Sequence, residues 1–504
     1  MAISWGYSPK VEKYIPLGDF PADRYLIIAQ QVIENLGWKL SHLSASGIIA
    51  YTGLSAASYS EEISIRINSN FAIFKSECIG VQLLFTDYGK NSRNQEKFFA
   101  EFEYAQFHLK DTWQDRIAGF YEHVATQDEA YFNQAPLKVK DKIKNVFYLF
   151  WPQPGYVVTP IIIYINIAYY FLLFAALLVT LMGAPVDLVA ATNNVYLMFG
   201  VGDRNHILNG EFYRLLTQLF IHFSFSHLFF NLYALIYIGL MIENKLGSGK
   251  TLAIYLLSGV CASIFSIYTH HTGFLAGASG AILGMFGAFL ALLISRAFEK
   301  NANKALLIST LILVAYILIS GYFGSRVDNT AHVSGLISGF LFGYILYNPI
   351  LFKKQISLTG RSALIGILIV IVLGMTYGFL PRYQTEEYQK LKQEFIRNDE
   401  IFSGIFFKLR TDLSNKDKLQ VIKESAIEPV DNNMGLIKEM RKLTLLEQDQ
   451  ADLNYRIKII DKSHIAALSL YKFYQAGGVY NPQLKKSIQD NINEINKLKY
   501  EYSK

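Results

Sequence analysis

Residues 277–295 read GASGAILGMFGAFLALLIS, a charge-free apolar stretch that opens on a serine between two glycines. A helix needs roughly 17 to 25 mainly apolar residues to cross the hydrocarbon of a bilayer. Six more stretches of this character occur along the chain, at 160–182, 226–242, 251–269, 305–322, 332–347 and 363–380. The sequence therefore predicts a polytopic α-helical membrane protein with seven spans.

The distribution of charge divides the chain into parts. Only 17% of the 504 residues are charged, against roughly 25% in an ordinary soluble domain, and residues 156–381 are the poorest in charge. The pattern predicts a cytoplasmic α+β domain at 1–155, a six-span core at 156–350, a linker and seventh transmembrane helix at 351–381, and an extracytoplasmic helical domain at 382–504.

Charge and cysteine content exclude several classes of protein. The net charge of +6 is spread over the whole chain, so there is no basic patch of the kind that binds nucleic acid. Cys78 and Cys261 are the only cysteines, which excludes a disulfide framework and a cysteine-rich metal site. The redox compartment stays open.

Basic residues follow alternate spans and indicate the orientation in the membrane. The chain starts MAISWGYSPKVEK and lacks the apolar run of a secretory signal. For a protein of the cell (inner) membrane, the positive-inside rule then predicts a cytoplasmic N-terminus. The odd number of seven spans carries residues 382–504 outside the cytoplasm. The basic residues concerned are Lys138, Lys140, Lys142, Lys144, Lys245, Lys250, Arg296, Lys300, Lys304, Lys353, Lys354 and Arg361.

The two flanking parts show secondary-structure patterns but no catalytic motif. The N-terminal part predicts helices at 23–36 and 94–109 and strands at 47–51, 62–68, 71–76 and 80–86. It has no phosphate loop, metal-ligand spacing or nucleophile motif, which favours a regulatory or binding role. The C-terminal part predicts several packed helices without the sustained heptads of a long coiled coil.

A few polar side chains fall at the starts of the second, fourth and sixth spans. A polar group in hydrocarbon costs free energy unless it faces a protein interior or a wet cavity, so each one is a candidate for function. The candidates are His222, His227 and Asn231, then Ser279, then His332. Because the three span ends lie on the same side of the membrane, Ser279, His332, His227 and Asn231 share one depth.

This combination permits nucleophilic catalysis. A histidine within hydrogen-bond reach of a serine takes its proton as general base, so Ser279 and His332 can form a dyad. The oxyanion of the intermediate needs hydrogen-bond donors. The backbone N–H of Ser279 at a helix N-terminus can supply one, and His227 and Asn231, four residues apart on one helix face, can supply others.

Glycines fit this geometry. Gly277 and Gly280 bracket the serine and let the chain turn into a helix with little steric hindrance. Gly335 and Gly339 let the sixth span pack closely on the fourth. Small residues at a span start also occur as plain packing motifs, and a lone histidine there is often interfacial or structural, the interpretation given to His222.

The signatures of other hydrolases and of a transporter fit the sequence less well than the dyad. The zinc-protease string His-Glu-x-x-His is absent. The stretch GVGDR at 200–204 resembles an intramembrane aspartyl protease motif, but Asp203 lies between spans without a second intramembrane aspartate. The α/β-hydrolase elbow needs a glycine where Ala281 stands. A transporter needs carboxylates inside the spans, and the predicted spans contain none.

Four motifs carry a resemblance to a known family. GEFYRLLTQLFIHFSFSHLFFN at 210–231, IENKLGSGK at 242–250, GASGAILGMFG at 277–287 and AHVSGLISG at 331–339 follow one another along the chain. In this order they resemble the rhomboid family of intramembrane serine proteases, over about residues 160–350.

The resemblance implies a serine endopeptidase without metal or cofactor that cleaves transmembrane protein substrates within the lipid bilayer. It implies Ser279 as nucleophile, His332 as base, and His227 and Asn231 on the oxyanion side, with His222 as the family's additional histidine. It also implies that 184–225 is a membrane-associated loop in which Tyr213 and Arg214 occupy the usual Trp-Arg position. There Arg214 and Glu211 are expected to hold the loop.

The sequence departs from the family pattern in the site. Leu283 stands where the family often has an aromatic residue that packs on the catalytic histidine. The departures at Leu283 and Tyr213 keep an alternative open, a catalytically silent rhomboid-like chaperone or adaptor that binds transmembrane helices. The seventh span resembles family members with an extra C-terminal helix.

Overall fold

The computed structural model describes most of the chain in two compact units, residues 1–378 and 379–504. The described residues are 9–53, 55, 59–80, 86–109, 113–127, 146–183, 187–270, 273–298, 300–323, 327–347, 360, 363–367, 371, 374, 378, 380–409, 413–479 and 481–502.

The first unit begins with a sheet and three helices. In chain order these are β1 Lys10–Pro16, α1 Ala22–Asn35, β2 Lys39–Ser44, β3 Gly47–Tyr51, β4 Glu61–Asn68, β5 Phe71–Cys78, α2 Lys90–His108 and α3 Trp113–Ala125. The strands pair antiparallel in the order β1-β5-β4-β3-β2. The strands β1 and β2 were not predicted, and the strand predicted at 80–86 falls mainly on residues outside those described.

Both faces of this sheet are covered. Side chains alternate along a strand, so Ile48 and Ala50 of β3 join the apolar core formed with α1, α2 and α3. Ile49 and Tyr51, which point the other way, belong to the apolar core of the membrane helices. The N-terminal domain therefore packs directly against the membrane part of the same unit.

The membrane part contains nine helices among the described residues. They are α4 Val158–Gly183, α5 Leu188–Met198, α6 Arg204–Leu208, α7 Arg214–Thr217, α8 Phe225–Leu246, α9 Ser248–Thr269, α10 Ser279–Ile294, α11 Lys300–Phe323 and α12 Asn329–Tyr347. Five of them, α4, α8, α9, α11 and α12, are long and apolar enough to cross a membrane, and α10 is a shorter apolar helix of 16 residues. The protein is a polytopic helical membrane protein. Half of the residues of the predicted seventh span at 363–380 lie outside those described.

Helix α10 lies at the centre of the membrane part, with all but its ends buried. Glycine brings its backbone against that of α12. A Cβ added to Gly335 would lie 2.9 Å from the carbonyl carbon of Gly280, and one added to Gly343 would lie 2.6 Å from Cα of Ala288. Since real Cβ atoms do not approach so closely, these positions accept only glycine without a shift of the helices.

One buried carboxylate corrects the expectation that the spans hold none. The second predicted span ended at residue 242, but helix α8 continues to Leu246 and includes the fully buried Glu243. Its oxygens accept hydrogen bonds from the backbone N–H groups of Val158 at 2.7 Å and Thr159 at 2.9 Å, and from the Ser248 hydroxyl at 2.7 Å. Glu243 thus caps the first turn of α4, because the first N–H groups of a helix lack partners within the helix.

The second unit is helical. It comprises α13 Thr385–Ser403, α14 Ile405–Lys408, α15 Asn415–Ile422, α16 Glu428–Met440, α17 Glu447–Gln475 and α18 Pro482–Tyr502. Asp452 is buried in it and accepts hydrogen bonds from Arg456 at 2.9 Å, Tyr388 at 2.6 Å and Tyr502 at 2.5 Å. Burial alone raises the pKa of a carboxyl group, but these hydrogen bonds outweigh it and hold the pKa of Asp452 far below its usual range.

Candidate active site

Ser279 and His332 meet at the starts of two adjacent helices. Ser279 is the first residue of α10 and His332 lies in the first turn of α12. The Oγ atom of Ser279 is 2.9 Å from Nε2 of His332. The imidazole is buried, with 6% of the residue exposed, whereas Ser279 is only partly buried. The partly buried Ser279 therefore contacts an imidazole that is shielded from solvent.

The segment before Ser279 is fixed by backbone hydrogen bonds. Leu275 and Gly202 exchange two of them, at 2.8 and 2.9 Å, and the N–H of Gly277 donates to the carbonyl of Gln218 at 2.9 Å. Gly277 has a φ of +122°, a conformation that only glycine adopts readily. The chain consequently enters α10 at one defined place.

His227 and Asn231 lie beside this turn. The Ser224 hydroxyl caps α8 by accepting the backbone N–H of His227 at 3.2 Å. A Cβ added to Gly277 would lie 2.8 Å from Nε2 of His227 and 3.9 Å from Nδ2 of Asn231. The absence of a side chain at Gly277 leaves both polar groups next to the residue two positions before the serine.

The ring of His222 packs on the ring of His227. The two ring centroids are 4.9 Å apart with the planes inclined at 64°, and His222 is buried. This ring contact places His222 to orient the ring of His227. Leu283, one turn after Ser279, is buried as well, with 3% exposed.

Arg214 forms several hydrogen bonds within the segment that connects α4 to α8. Its guanidinium donates to the carbonyls of Leu197 and Val201, both at 3.0 Å, and to a carboxylate oxygen of Glu211 at 2.7 Å. Hydrogen bonds from Tyr213 and Arg214 lower the pKa of Glu211 and keep it charged. These hydrogen bonds join Arg214 to three separate points of the loop.

Asp203 and His206, between the first and second predicted spans, form a contact with each other. Asp203 caps α6 and its Oδ1 lies 2.7 Å from Nδ1 of His206. In the part of the chain that the structure describes, no cluster of three histidine, cysteine or acidic side chains could hold a metal ion. Asp328, which was not predicted as a site residue, precedes α12 and accepts the Ala331 N–H at 2.9 Å. An aspartate directly before an apolar helix is the signal of an N-cap.

The fold and site together define a polytopic membrane protein with a serine–histidine pair at the start of a short central helix. The Rhomboid domain family model matches residues 209–349. Rhomboid-like protease 2 of Toxoplasma gondii is 32% identical over 243 residues, which is 45% of this chain and 84% of that protein. The chain belongs to the rhomboid family.

Two further relatives match over smaller shares. RHOMBOID-like protein 5 of Arabidopsis thaliana is 36% identical over 149 residues, 29% of this chain and 48% of that protein. Rhomboid protease GluP of Bacillus subtilis (strain 168) is 33% identical over 183 residues, 36% of this chain and 34% of that protein. The chain thus spans about half of one of these relatives and a third of the other.

Proposed function

We propose that this protein is an active intramembrane serine endopeptidase. The observation that carries the proposal is the 2.9 Å distance from Ser279 Oγ to His332 Nε2, the reach that proton transfer from a serine nucleophile requires. The names of its relatives support it, since two of them are described as rhomboid proteases.

The proposed reaction has two stages. Ser279 Oγ attacks the carbonyl carbon of the scissile peptide bond while His332 Nε2 takes the hydroxyl proton. His332 then gives this proton to the leaving amide nitrogen, which breaks the C–N bond and leaves an acyl ester on Ser279. In the second stage a water attacks the ester, with His332 again as base, and the serine is regenerated.

The tetrahedral intermediate carries a negative oxygen that the site must stabilise. We assign this role to the Ser279 backbone N–H at the start of α10, where the helix dipole favours negative charge, and to His227 and Asn231. The position of both side chains against Gly277 supports the assignment. Gly280, Gly335 and Gly339 hold the two helices close enough for the dyad to form.

The substrates are proposed to be transmembrane segments of other membrane proteins, cut near the outer face of the lipid bilayer. Their helix must unwind locally to present a carbonyl to Ser279, because helical carbonyls are already hydrogen-bonded. Segments with helix-destabilising residues should therefore be cleaved and stable helices should resist.

Cleavage in liposomes tests the proposal. Wild type, Ser279→Ala and His332→Ala are incubated with a model transmembrane substrate and, separately, with a fluorophosphonate that labels activated serines. We expect cleavage and labelling by wild type only. Equal cleavage by all three proteins would eliminate the dyad.

A second candidate is a catalytically silent rhomboid-like protein that binds transmembrane helices as a chaperone or adaptor. It is motivated by Leu283, an aliphatic residue where an aromatic often packs on the base. Substrate co-purification with wild type, without cleavage or fluorophosphonate labelling at Ser279, would favour this candidate.

The proposed topology places the N-terminus in the cytoplasm and residues 382–504 outside it. The basic residues that follow alternate spans support this orientation. An impermeant thiol reagent applied to Ser503→Cys, in a chain without Cys78 and Cys261, should label intact cells. Labelling only after permeabilisation would place the C-terminus inside and remove the seventh span.

A further inference from the structure

Asp328 joins the start of α12 to the end of α9. Its Oδ1 accepts the Ala331 N–H at 2.9 Å and its main-chain carbonyl accepts the His332 N–H at 3.1 Å. Its other carboxylate oxygen accepts a hydrogen bond from the hydroxyl of Ser266, which lies in the last turn of α9. Nδ1 of His270 is 3.8 Å from Oδ1.

The catalytic base has no orienting group of the usual kind. In a serine–histidine–aspartate triad the carboxylate holds the imidazole through its Nδ1–H. Nδ1 of His332 is buried and has no hydrogen-bond partner among the described protein groups. The position of this ring therefore depends on the backbone that carries it, which is the first turn of α12.

The first turn of a helix is the part most dependent on its cap, because its N–H groups have no partners within the helix. Asp328 satisfies the N–H of Ala331, and its tether to Ser266 fixes that turn against a neighbouring helix. A loosened turn would move the imidazole relative to Ser279, whose own position is fixed through Gly202 and Gln218.

We propose that Asp328 is a positioning residue for the general base, acting through the cap of α12 and the Ser266 tether. This inference rests on the proposed peptidase function. It predicts a loss in turnover rather than in substrate binding, because the substrate does not contact Asp328 in this scheme.

Four variants of the full-length protein in liposomes separate positioning from general stability. Asp328→Ala removes cap and tether, Asp328→Asn keeps a good capping oxygen and an Nδ2 that can donate to the Ser266 hydroxyl, and Ser266→Ala removes the tether alone. Asp187→Ala is the matched control, because Asp187 caps α5 through the Val189 N–H at 3.0 Å but holds no site residue.

We expect Asp328→Ala to lower kcat by about 10- to 100-fold with KM changed less than about twofold, since a misplacement of about 1 Å can cost about 10²-fold. Asp328→Asn should recover kcat to within about threefold of wild type, Ser266→Ala should be intermediate, and Asp187→Ala should match wild type. Amide hydrogen exchange of residues 329–332 should rise in Asp328→Ala and not in Asp187→Ala.

Three results would overturn the proposal: wild-type kcat in Asp328→Ala, an equal loss in Asp328→Ala and Asp187→Ala, or unchanged exchange at 329–332. If Asp328→Ala fails to fold, a wild-type kcat in Ser266→Ala would overturn the proposal instead. The absence of cleavage and of Ser279 labelling in wild type would instead refute the proposed function, and the exchange measurement would still decide the role of the cap.

Discussion

Replacing Gly335 by alanine should separate the catalytic pair without touching either member. The new Cβ would lie 2.9 Å from the Gly280 carbonyl carbon and closer still to its oxygen, whereas ordinary contacts begin at 3.4 Å. We estimate that α10 and α12 must part by about 1 Å locally, at a cost of about 1–3 kcal/mol for overpacking. Such a shift would take the Ser279–His332 distance beyond hydrogen-bond reach, so kcat should fall by roughly 10²-fold.

The assay is cleavage of a transmembrane substrate in liposomes, with thermal unfolding measured in parallel. Gly343→Ala is the control, since its Cβ would meet Cα of Ala288 at 2.6 Å in the same interface, but about 12 Å further along α12. It should lose similar stability and much less activity. Equal activity loss in Gly335→Ala and Gly343→Ala would refute the argument from local geometry.

Three further predictions concern other parts of the molecule. Asn231→Ala and His227→Ala should each lower kcat by about 10² to 10³-fold in a folded protein; full activity in both would make them packing groups. Gly80→Leu, where a Cβ would lie 2.8 Å from the Ser309 hydroxyl of α11, should increase amide exchange at 300–310, unlike Gly119→Leu, which has open space. Asp452→Asn should destabilise the C-terminal unit by about 3 kcal/mol by leaving a buried guanidinium unpaired. Because the folded pKa of Asp452 is depressed, its contribution to the stability of the wild-type unit should be full above about pH 4 and should decline below that pH. Hydrogen exchange should show this decline in the wild type and not in Asp452→Asn.

The sequence was sufficient for the five long apolar helices and for the short helix α10, because hydrocarbon excludes charge over a length that a helix must span. The same criterion misplaces helix ends. Glu243 ended the predicted second span because it is charged, yet helix α8 continues through it since its carboxylate is fully hydrogen-bonded. Hydropathy reports the surrounding solvent, whereas hydrogen bonding determines where a helix ends.

The same distinction explains which site residues were found. Ser279, His332, His227 and Asn231 are polar groups within or at the ends of apolar stretches, so their cost in hydrocarbon makes them conspicuous. Asp328 lies four residues before the predicted sixth span and is ordinary by composition. Its tether to Ser266 joins residues 62 apart, a contact that no local pattern contains. In the N-terminal domain, β1 was missed because its residues KVEKYIP are largely exposed and mixed in charge.

Two of the unmade hydrogen bonds in the described part of the chain lie at this site, and one of them bears on the proposed chemistry. Nδ2 of Asn231 and Nδ1 of His332 are buried without a hydrogen-bond partner among the described protein groups. Each such group costs about 1–3 kcal/mol when it stays unpaired, and a purely structural site in hydrocarbon would gain by pairing them or by replacing them with apolar side chains. The oxyanion role proposed for Asn231 has the opposite requirement, because a donor already paired in the resting protein gives nothing to the transition state. The close helix contacts at Gly280 and Gly335 fix the backbone around these groups, so the polar atoms stay oriented while their hydrogen bonds remain available to water or to a substrate oxygen.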